Sequence, residues 1–354
     1  MSILITGANG YIGSRLATKL FNESDESLIL WIHASTTNEL ERKKAGLPDS
    51  ERVSFAWGEL KDHAPFASVD PTDITKIVHG AAVTRFNVEQ DLAQQVNVEG
   101  TTKALEFART CPVLDRFSLI STVYASGLKS GPIPEAIPVE RPSFGNFYEQ
   151  SKYEAEQELV VKYDDLPWNI IRVATIIADD DNGKVTQYNV FHNTLKLLYY
   201  GLLSVIPGNP KTPIYLVKGD FIAESIFSLL DQEGVYHLCD TKDHSISLGQ
   251  LIDIAFSNFE ASEDFKARRI LKPLYSDEES FKILVDGLDS FAGDIINQSV
   301  KSIAPFSSQL FIHKEFMNDN MRTACPWYRP ADMSTIVRTT CAELVKTKWG
   351  RVND

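Results

Sequence analysis

Short apolar runs of four to six residues alternate with longer stretches whose apolar positions recur every three or four residues, through the first two-thirds of the chain. The short runs predict strands at 3–6, 28–33, 53–57, 76–80, 117–122, 169–173 and 235–238. The longer stretches predict helices at 12–22, 88–110, 147–163, 190–200 and 221–230. Strand followed by helix, repeated, predicts an α/β fold: a doubly wound parallel sheet with right-handed crossovers and helices on both faces. The strands are apolar almost throughout, as burial on both faces requires. After about residue 240 the alternation gives way to a helix-rich region, broken at Pro273, Pro305 and the run Pro326-Trp327-Tyr328-Arg329-Pro330. The expected division is a first domain over 1–240 and a smaller, helix-rich substrate-binding lobe over 241–354, with 184–217 contributing to the substrate side.

Composition narrows the classes. A chain of 354 residues with 43% hydrophobic and 23% charged side chains is an ordinary globular chain, long enough for one large unit and one small one. Its net charge of −13 excludes a general nucleic-acid binder, which needs a basic face. A small anionic cofactor stays open, because a phosphate site is built locally from backbone N–H groups. Cys111, Cys239, Cys325 and Cys341 show neither metal-ligand nor disulfide spacing, so reduced thiols, no metal and a cytoplasmic setting are expected. The chain opens on a strand pattern, so no leader is expected. The apolar stretch 190–206 is interrupted by His192, Asn193, Lys196 and Gly201. It is too short and too polar to span a bilayer, and reads as a buried or pocket-lining helix.

The first strand runs into Thr6-Gly7-Ala8-Asn9-Gly10-Tyr11-Ile12-Gly13, which opens the first helix. Glycines there permit a tight turn and close approach of phosphate, while the helix N-terminus offers free N–H groups. This is a dinucleotide-binding Rossmann pattern, with Gly7, Asn9, Gly10, Tyr11, Ile12 and Gly13 around a pyrophosphate. The Gly-x-x-Gly-x-x-Gly spacing resembles the extended short-chain dehydrogenase/reductase superfamily. The second strand ends in His33-Ala34-Ser35-Thr36, with no carboxylate before Glu39, and Arg42, Lys43 and Lys44 follow. Arg15 lies one turn into the first helix. An acid at this point would hold a ribose 2′-hydroxyl and repel a 2′-phosphate. Its absence beside His33, Ser35 and Arg42 points to NADP, with NAD as the alternative. Glu59-Leu60 after the third strand matches the superfamily's adenine-side turn. His79, Ala81 and Ala82 close the fourth strand, where small residues let a cofactor lie on the sheet edge.

Tyr148 and Lys152 stand at i and i+4, on one helix face. Such pairs are common on solvated faces; the order of glycine loop, Ser121-Thr122, Tyr148 and Lys152 sets this one apart. Positive charge from Lys152 and an oxidised nicotinamide favours tyrosinate. Lowering the phenol from about 10 towards about 7 would need roughly 4 kcal/mol of differential stabilisation. The resemblance implies Thr122 as hydrogen-bond donor to a substrate carbonyl, with Ser121 as fallback. It implies Tyr148 as proton donor and Lys152 as its electrostatic partner and ribose contact. Asn97 fits the position that steadies the active-site helix and a water relay, though a helix-packing Asn explains it equally well. Tyr124 is passed over as the acid because Leu128 stands where its lysine would be.

Within the superfamily, residues 79–86 (His-Gly-Ala-Ala-Val-Thr-Arg-Phe), Asn97-Val98-Glu99-Gly100-Thr101 and the Ser121-Thr122 pair resemble the thioester-reductase and fatty-acyl-reductase (male-sterility-like) branch. Val173, Ala174 and Thr175 would back the nicotinamide, with Val173 replacing a frequent proline. The motifs cover about residues 1–260. The resemblance implies hydride transfer from NADPH to an acyl thioester, bound to coenzyme A or to a carrier protein, or to an aldehyde. It leaves monomer or homodimer open. The 190–206 segment would line an acyl channel, although such stripes are more often plain core. Competing readings are a 3β-hydroxysteroid-type dehydrogenase or a nucleotide-sugar epimerase on the same scaffold, and a non-catalytic dinucleotide sensor. Retention of both Tyr148 and Lys152 counts against the sensor.

Overall fold

A computed structural model describes residues 1–291 and 294–350. Seven parallel strands form the central sheet: β1 (Ser2–Thr6), β2 (Ser27–His33), β3 (Val53–Gly58), β4 (Ile74–His79), β5 (Arg116–Thr122), β6 (Trp168–Val173) and β7 (Gly234–Leu238). Their order is β7-β6-β5-β4-β1-β2-β3. Each matches an expected strand to within two residues. The order reverses between β1 and β4, which opens a crevice at the carboxyl ends of those strands. Thr6 pairs with both Trp31 and His79, and Thr122 with Val173, so the ends carrying candidate chemistry face one edge.

The period-2 pattern of β1 explains how the sheet is covered. Ile3 and Ile5 pack with Leu16 and Leu20 of the helix Tyr11–Glu23 and with Ile222 and Ile226 of the helix Gly219–Leu229. Leu4 faces the other way, with Ile77, Leu105, Leu119 and Leu159. Burying a side chain of that size contributes on the order of 2 kcal/mol, so a one-residue slip of β1 would exchange both faces at once.

Two features differ from the periodic reading. The expected helix 88–110 is three pieces: Gln90–Ala93, a π-helical stretch Gln94–Glu99, and Gly100–Ala108. Hydrophobic period does not distinguish α from π geometry over six residues, so the bulge was invisible in the pattern. The helix Val190–Tyr199 buries Phe191, Leu195, Leu198 and Tyr199 in a second core with Phe256, Phe259 and Leu344. Its apolar stripe is core packing, which corrects the acyl-channel expectation.

The C-terminal region does not stay apart from the first core. Lys314–Phe316 pairs in parallel with Gly131–Ile133, just beyond β5. Phe316, Met321, Cys325 and Tyr328 join the core that holds β1.

Candidate functional site

The glycine loop is shaped by contacts that only glycine allows. Gly7 has φ of +69°, and a Cβ there would lie 2.9 Å from the Ala81 backbone. A Cβ on Gly13 would meet the Gly7 carbonyl oxygen at 2.2 Å. The Gly10 N–H closes the turn on the Gly7 carbonyl at 2.8 Å. The helix Tyr11–Glu23 has no side-chain cap and no acid in its first turn. Its first N–H groups and the positive end of its dipole are therefore left for an anion, beside exposed Gly10 and half-buried Asn9. The residues present fit a dinucleotide's pyrophosphate.

Two side chains expected around this loop are committed elsewhere. The Tyr11 hydroxyl donates to Asp179 Oδ1 at 2.7 Å, and Arg15 stacks 3.7 Å from the Tyr11 ring and ion-pairs with the same carboxylate. Burial and Asp179 push the Tyr11 phenol well up. Both side chains tie the first helix to the chain after β6.

At the end of β2, Ser35 stands between two carboxylates. Its amide donates to Glu39 Oε2 at 2.9 Å and its hydroxyl to Glu59 Oε1 at 2.5 Å. Lys43 reaches back to the His33 carbonyl at 2.6 Å and pairs with Glu39 at 2.7 Å. Lys43 and the Ser35 amide hold the Glu39 carboxyl low, at about 2, and the Ser35 hydroxyl holds Glu59 low as well. Arg42 and His33 are exposed on the same rim. The fold thus brings Glu39 to the position where the sequence shows no acid directly after β2. Leu60 is buried against Gly100, whose missing Cβ leaves it 3.0 Å of clearance.

His79 is placed below the crevice. Its ring lies between the Thr6 hydroxyl at 2.8 Å and the Thr101 hydroxyl at 3.2 Å, fully buried. Burial pushes its pKa down to about 3, so it is neutral. It fixes the ends of β1 and β4, and its ring is committed to the Thr6 and Thr101 hydroxyls.

Around β5 the candidate residues separate by face. Thr122 is buried, donates to the Val173 carbonyl at 3.3 Å and accepts from the Tyr124 N–H at 3.3 Å, on the side of the strand that faces Tyr148. Ser121 points to the opposite face, where it donates to Glu156 Oε1 at 2.5 Å. Glu156 in turn accepts from Arg172 at 2.7 Å, in a fully buried pair. Alternation along a strand forbids Ser121 and Thr122 from sharing a site, so Ser121 as fallback hydroxyl is corrected.

Tyr148 and Lys152 lie on the helix Phe147–Lys162, opened by Asn146, whose side-chain oxygen accepts from the Glu149 amide at 2.9 Å. Neither is a surface residue. Burial pushes the Tyr148 phenol up to about 12, with Thr122 opposing the rise and Glu149 adding to it. Lys152 donates to the Ile120 carbonyl at 2.7 Å, and burial brings its pKa down to about 8. Asn97, on the π-helical stretch, accepts from Val83 N–H at 2.8 Å and donates to the Val83 carbonyl and Ser151 hydroxyl, each at 2.9 Å. It ties the post-β4 loop to the tyrosine helix.

Aromatic rings close over Tyr148, among them Phe306, which no motif marked. The Phe86 ring stands 5.4 Å from Tyr148 and 4.8 Å from Phe306, and Phe306 lies 5.3 Å from Tyr124. Tyr124 hydrogen-bonds the Thr175 hydroxyl at 2.9 Å, which fixes the chain after Val173 and Ala174. A separate cavity of about 580 Å³ lies between the helix Gly219–Leu229 and residues 327–336, and none of the candidate residues lines it.

A family model described as male sterility protein matches residues 5–226. The chain belongs to that family. It lies in the thioester-reductase and fatty-acyl-reductase branch of the extended short-chain dehydrogenases/reductases. The human fatty acyl-CoA reductase 2 is 32% identical over 153 residues, 35% of this chain and 28% of that protein. The isonitrile lipopeptide synthase of Streptomyces coeruleorubidus is 26% identical over 213 residues, 55% of this chain and 14% of that one. The matched stretches thus span less than a third of either relative. Among solved structures, the terminal R domain of the myxalamid PKS-NRPS pathway superposes with a TM-score of 0.76 at 19% identity, covering 100% of this chain and 92% of that one. A UDP-glucuronic acid 4-epimerase from Bacillus cereus, in complex with NAD, gives 0.67 at 16%, covering 99% and 100%. Both structural likenesses speak for the fold. The family supports a nicotinamide dinucleotide as the ligand of the glycine loop. Among the described residues no helix is long and apolar enough to cross a membrane.

Proposed function

We propose that this chain reduces an acyl thioester or aldehyde with NADPH. The observation that carries the reading is Tyr148 buried beside Thr122 at the carboxyl end of β5, beneath an aromatic cover. A bound nicotinamide supplies hydride to a carbonyl carbon. Thr122 and Tyr148 supply hydrogen bonds to the carbonyl oxygen, which becomes negative as hydride arrives. A phenol raised to about 12 stays protonated at neutral pH, which is the form a proton donor to that oxygen requires. Lys152 holds its positive charge beneath β5 and biases proton transfer away from Tyr148. Asn97 keeps the post-β4 loop and the tyrosine helix in register. Phe86 and Phe306 exclude water, which strengthens each of these interactions.

The choice of NADPH rests on His33, Arg42 and Lys43 at the rim after β2, with Glu39 already engaged by Lys43 and the Ser35 amide. The likeness to a human fatty acyl-CoA reductase makes coenzyme A thioesters the first substrates to test, and that to a thiolation-reductase di-domain of an archaeal non-ribosomal peptide synthetase adds carrier-bound thioesters. The test is oxidation of NADPH and of NADH against acyl-CoA, acyl-carrier, aldehyde, ketosteroid and UDP-sugar substrates. Consumption with thioester or aldehyde and NADPH is expected. Tight cofactor binding with no consumption by any substrate would make the chain a sensor.

A further inference from the structure

A buried lysine from the C-terminal region reaches the turn that follows the candidate hydroxyl. Lys314 is 4% exposed, and its ammonium donates to the Ser126 hydroxyl at 3.0 Å and to the Gly127 carbonyl. Pairing of Lys314 with Gly131 fixes its register against the chain leaving that turn. Gln309 donates to the same Gly127 carbonyl at 3.2 Å. The residues between, 123–126, form a single 3-10 turn that starts at Thr122, whose hydroxyl accepts from the Tyr124 N–H at 3.3 Å. Gly127 has φ of +59°, and a Cβ there would meet the Ser143 carbonyl at 2.2 Å, so the turn has no room to shift.

Fully buried Glu149, next to Tyr148, is the acid that faces Lys314. Its oxygens accept from the Gly145 amide at 3.1 Å and the Asn146 side chain at 2.9 Å. The Asn146 side chain also donates to the Pro305 carbonyl at 3.0 Å. Residues 305–314 therefore hold both the start of the tyrosine helix and the turn after Thr122.

We propose that Lys314 is a positioning residue for the reduction, fixing the turn from Thr122 to Gly127 so that Thr122 and Tyr148 stay aligned. The proposal rests on the reductase reading for its consequence and on the hydrogen bonds to Ser126 and Gly127 for its geometry. A lysine whose only task was to neutralise Glu149 would have no need of those two partners.

Replacing Lys314 alone would leave Glu149 buried without a counter-charge, and the fold itself could fail. The decisive variant is therefore the pair Lys314→Met with Glu149→Gln, beside Glu149→Gln alone. The paired variant is expected to melt no lower than Glu149→Gln, which leaves the Lys314 ammonium without its acid, and to bind NADPH within about twofold of it. Its amides over residues 124–128 should exchange about tenfold faster, while those of the helix Phe147–Lys162 keep their protection. With substrate, kcat should fall about tenfold or more at little-changed KM for NADPH. Unchanged exchange at 124–128, or kcat equal to that of Glu149→Gln, would overturn the positioning role. Failure of the reductase reading shows differently, as an unmodified protein that reduces none of the substrates while binding NADPH.

Discussion

Lys152 donates its ammonium to the Ile120 carbonyl, 2.7 Å away, and so lies beneath the strand that ends at Thr122. The i, i+4 spacing alone suggests a lysine beside a phenol. The strand carbonyl has instead drawn the ammonium inward, where burial lowers its pKa to about 8.

A stability signature follows from that burial. Between pH 8 and 10.5 the native lysine is neutral while the unfolded one still holds its proton, so stability rises with pH across that window. Lys152→Met removes this contribution and leaves other groups in place. The difference in unfolding free energy between the two proteins should therefore shift by roughly 3 kcal/mol in favour of wild type from pH 8 to 10.5. Denaturant titrations at several pH values measure it, and a pH-independent difference would contradict the buried placement.

Tyr148→Phe removes the proton donor but leaves the ring in its aromatic cover. Turnover should drop by about 10²-fold or more. The Kd for NADPH, read by fluorescence titration, should change little. Retained turnover would send the search for the acid to Tyr124.

Gly13→Ala asks for a methyl group 2.2 Å from the Gly7 carbonyl oxygen. The loop must move, at about 1–3 kcal/mol. Thermal unfolding should fall by several degrees and dinucleotide affinity should be lost with it. Gly46→Ala is the control, since nothing lies within 4 Å of a Cβ there; its φ of +84° predicts local strain only.

Acid should act in two stages. His79 and His237 are held neutral, each near pKa 3, by burial and, for His237, by the Arg172 charge. The unfolded chain binds protons to them first, so their contribution is present above pH 6.5 and declines below it. Glu135, raised to about 7, and Asp240, raised to about 6, act in the opposite sense, because the native state takes up their protons first. The two effects oppose each other down to about pH 4.5; below it the histidine loss continues and carboxyls held low, Glu39 among them, add to it. Melting temperature should be nearly flat from pH 6.5 to 4.5 and fall steeply beneath. Glu135→Gln should remove part of the plateau.

The cofactor rim can be tested by charge. Arg42→Ala with Lys43→Ala should raise KM for NADPH by about tenfold and leave KM for NADH nearly unchanged. Equal loss with both cofactors would assign these residues to the Glu39 pairing alone.

The sequence by itself determined the sheet. Apolar runs of strand length between amphipathic helices left one parallel architecture, and Gly7, Gly10 and Gly13 marked the loop because only glycine tolerates such backbone approach. These are local properties, written in neighbouring residues. The aromatic cover at Phe86 and Phe306, and Lys314 against Ser126 and Gly127, join residues 180 or more positions apart, with no periodic signal to reveal them. Face was legible only once a strand's orientation was fixed, which is why Ser121 stood as a fallback to Thr122 until the pleat set them apart. Protonation was the least legible property of all. Tyr148 and Lys152 announce a charge pair in the sequence, but their pKa values are set by burial, and burial is decided by everything the chain folds around them.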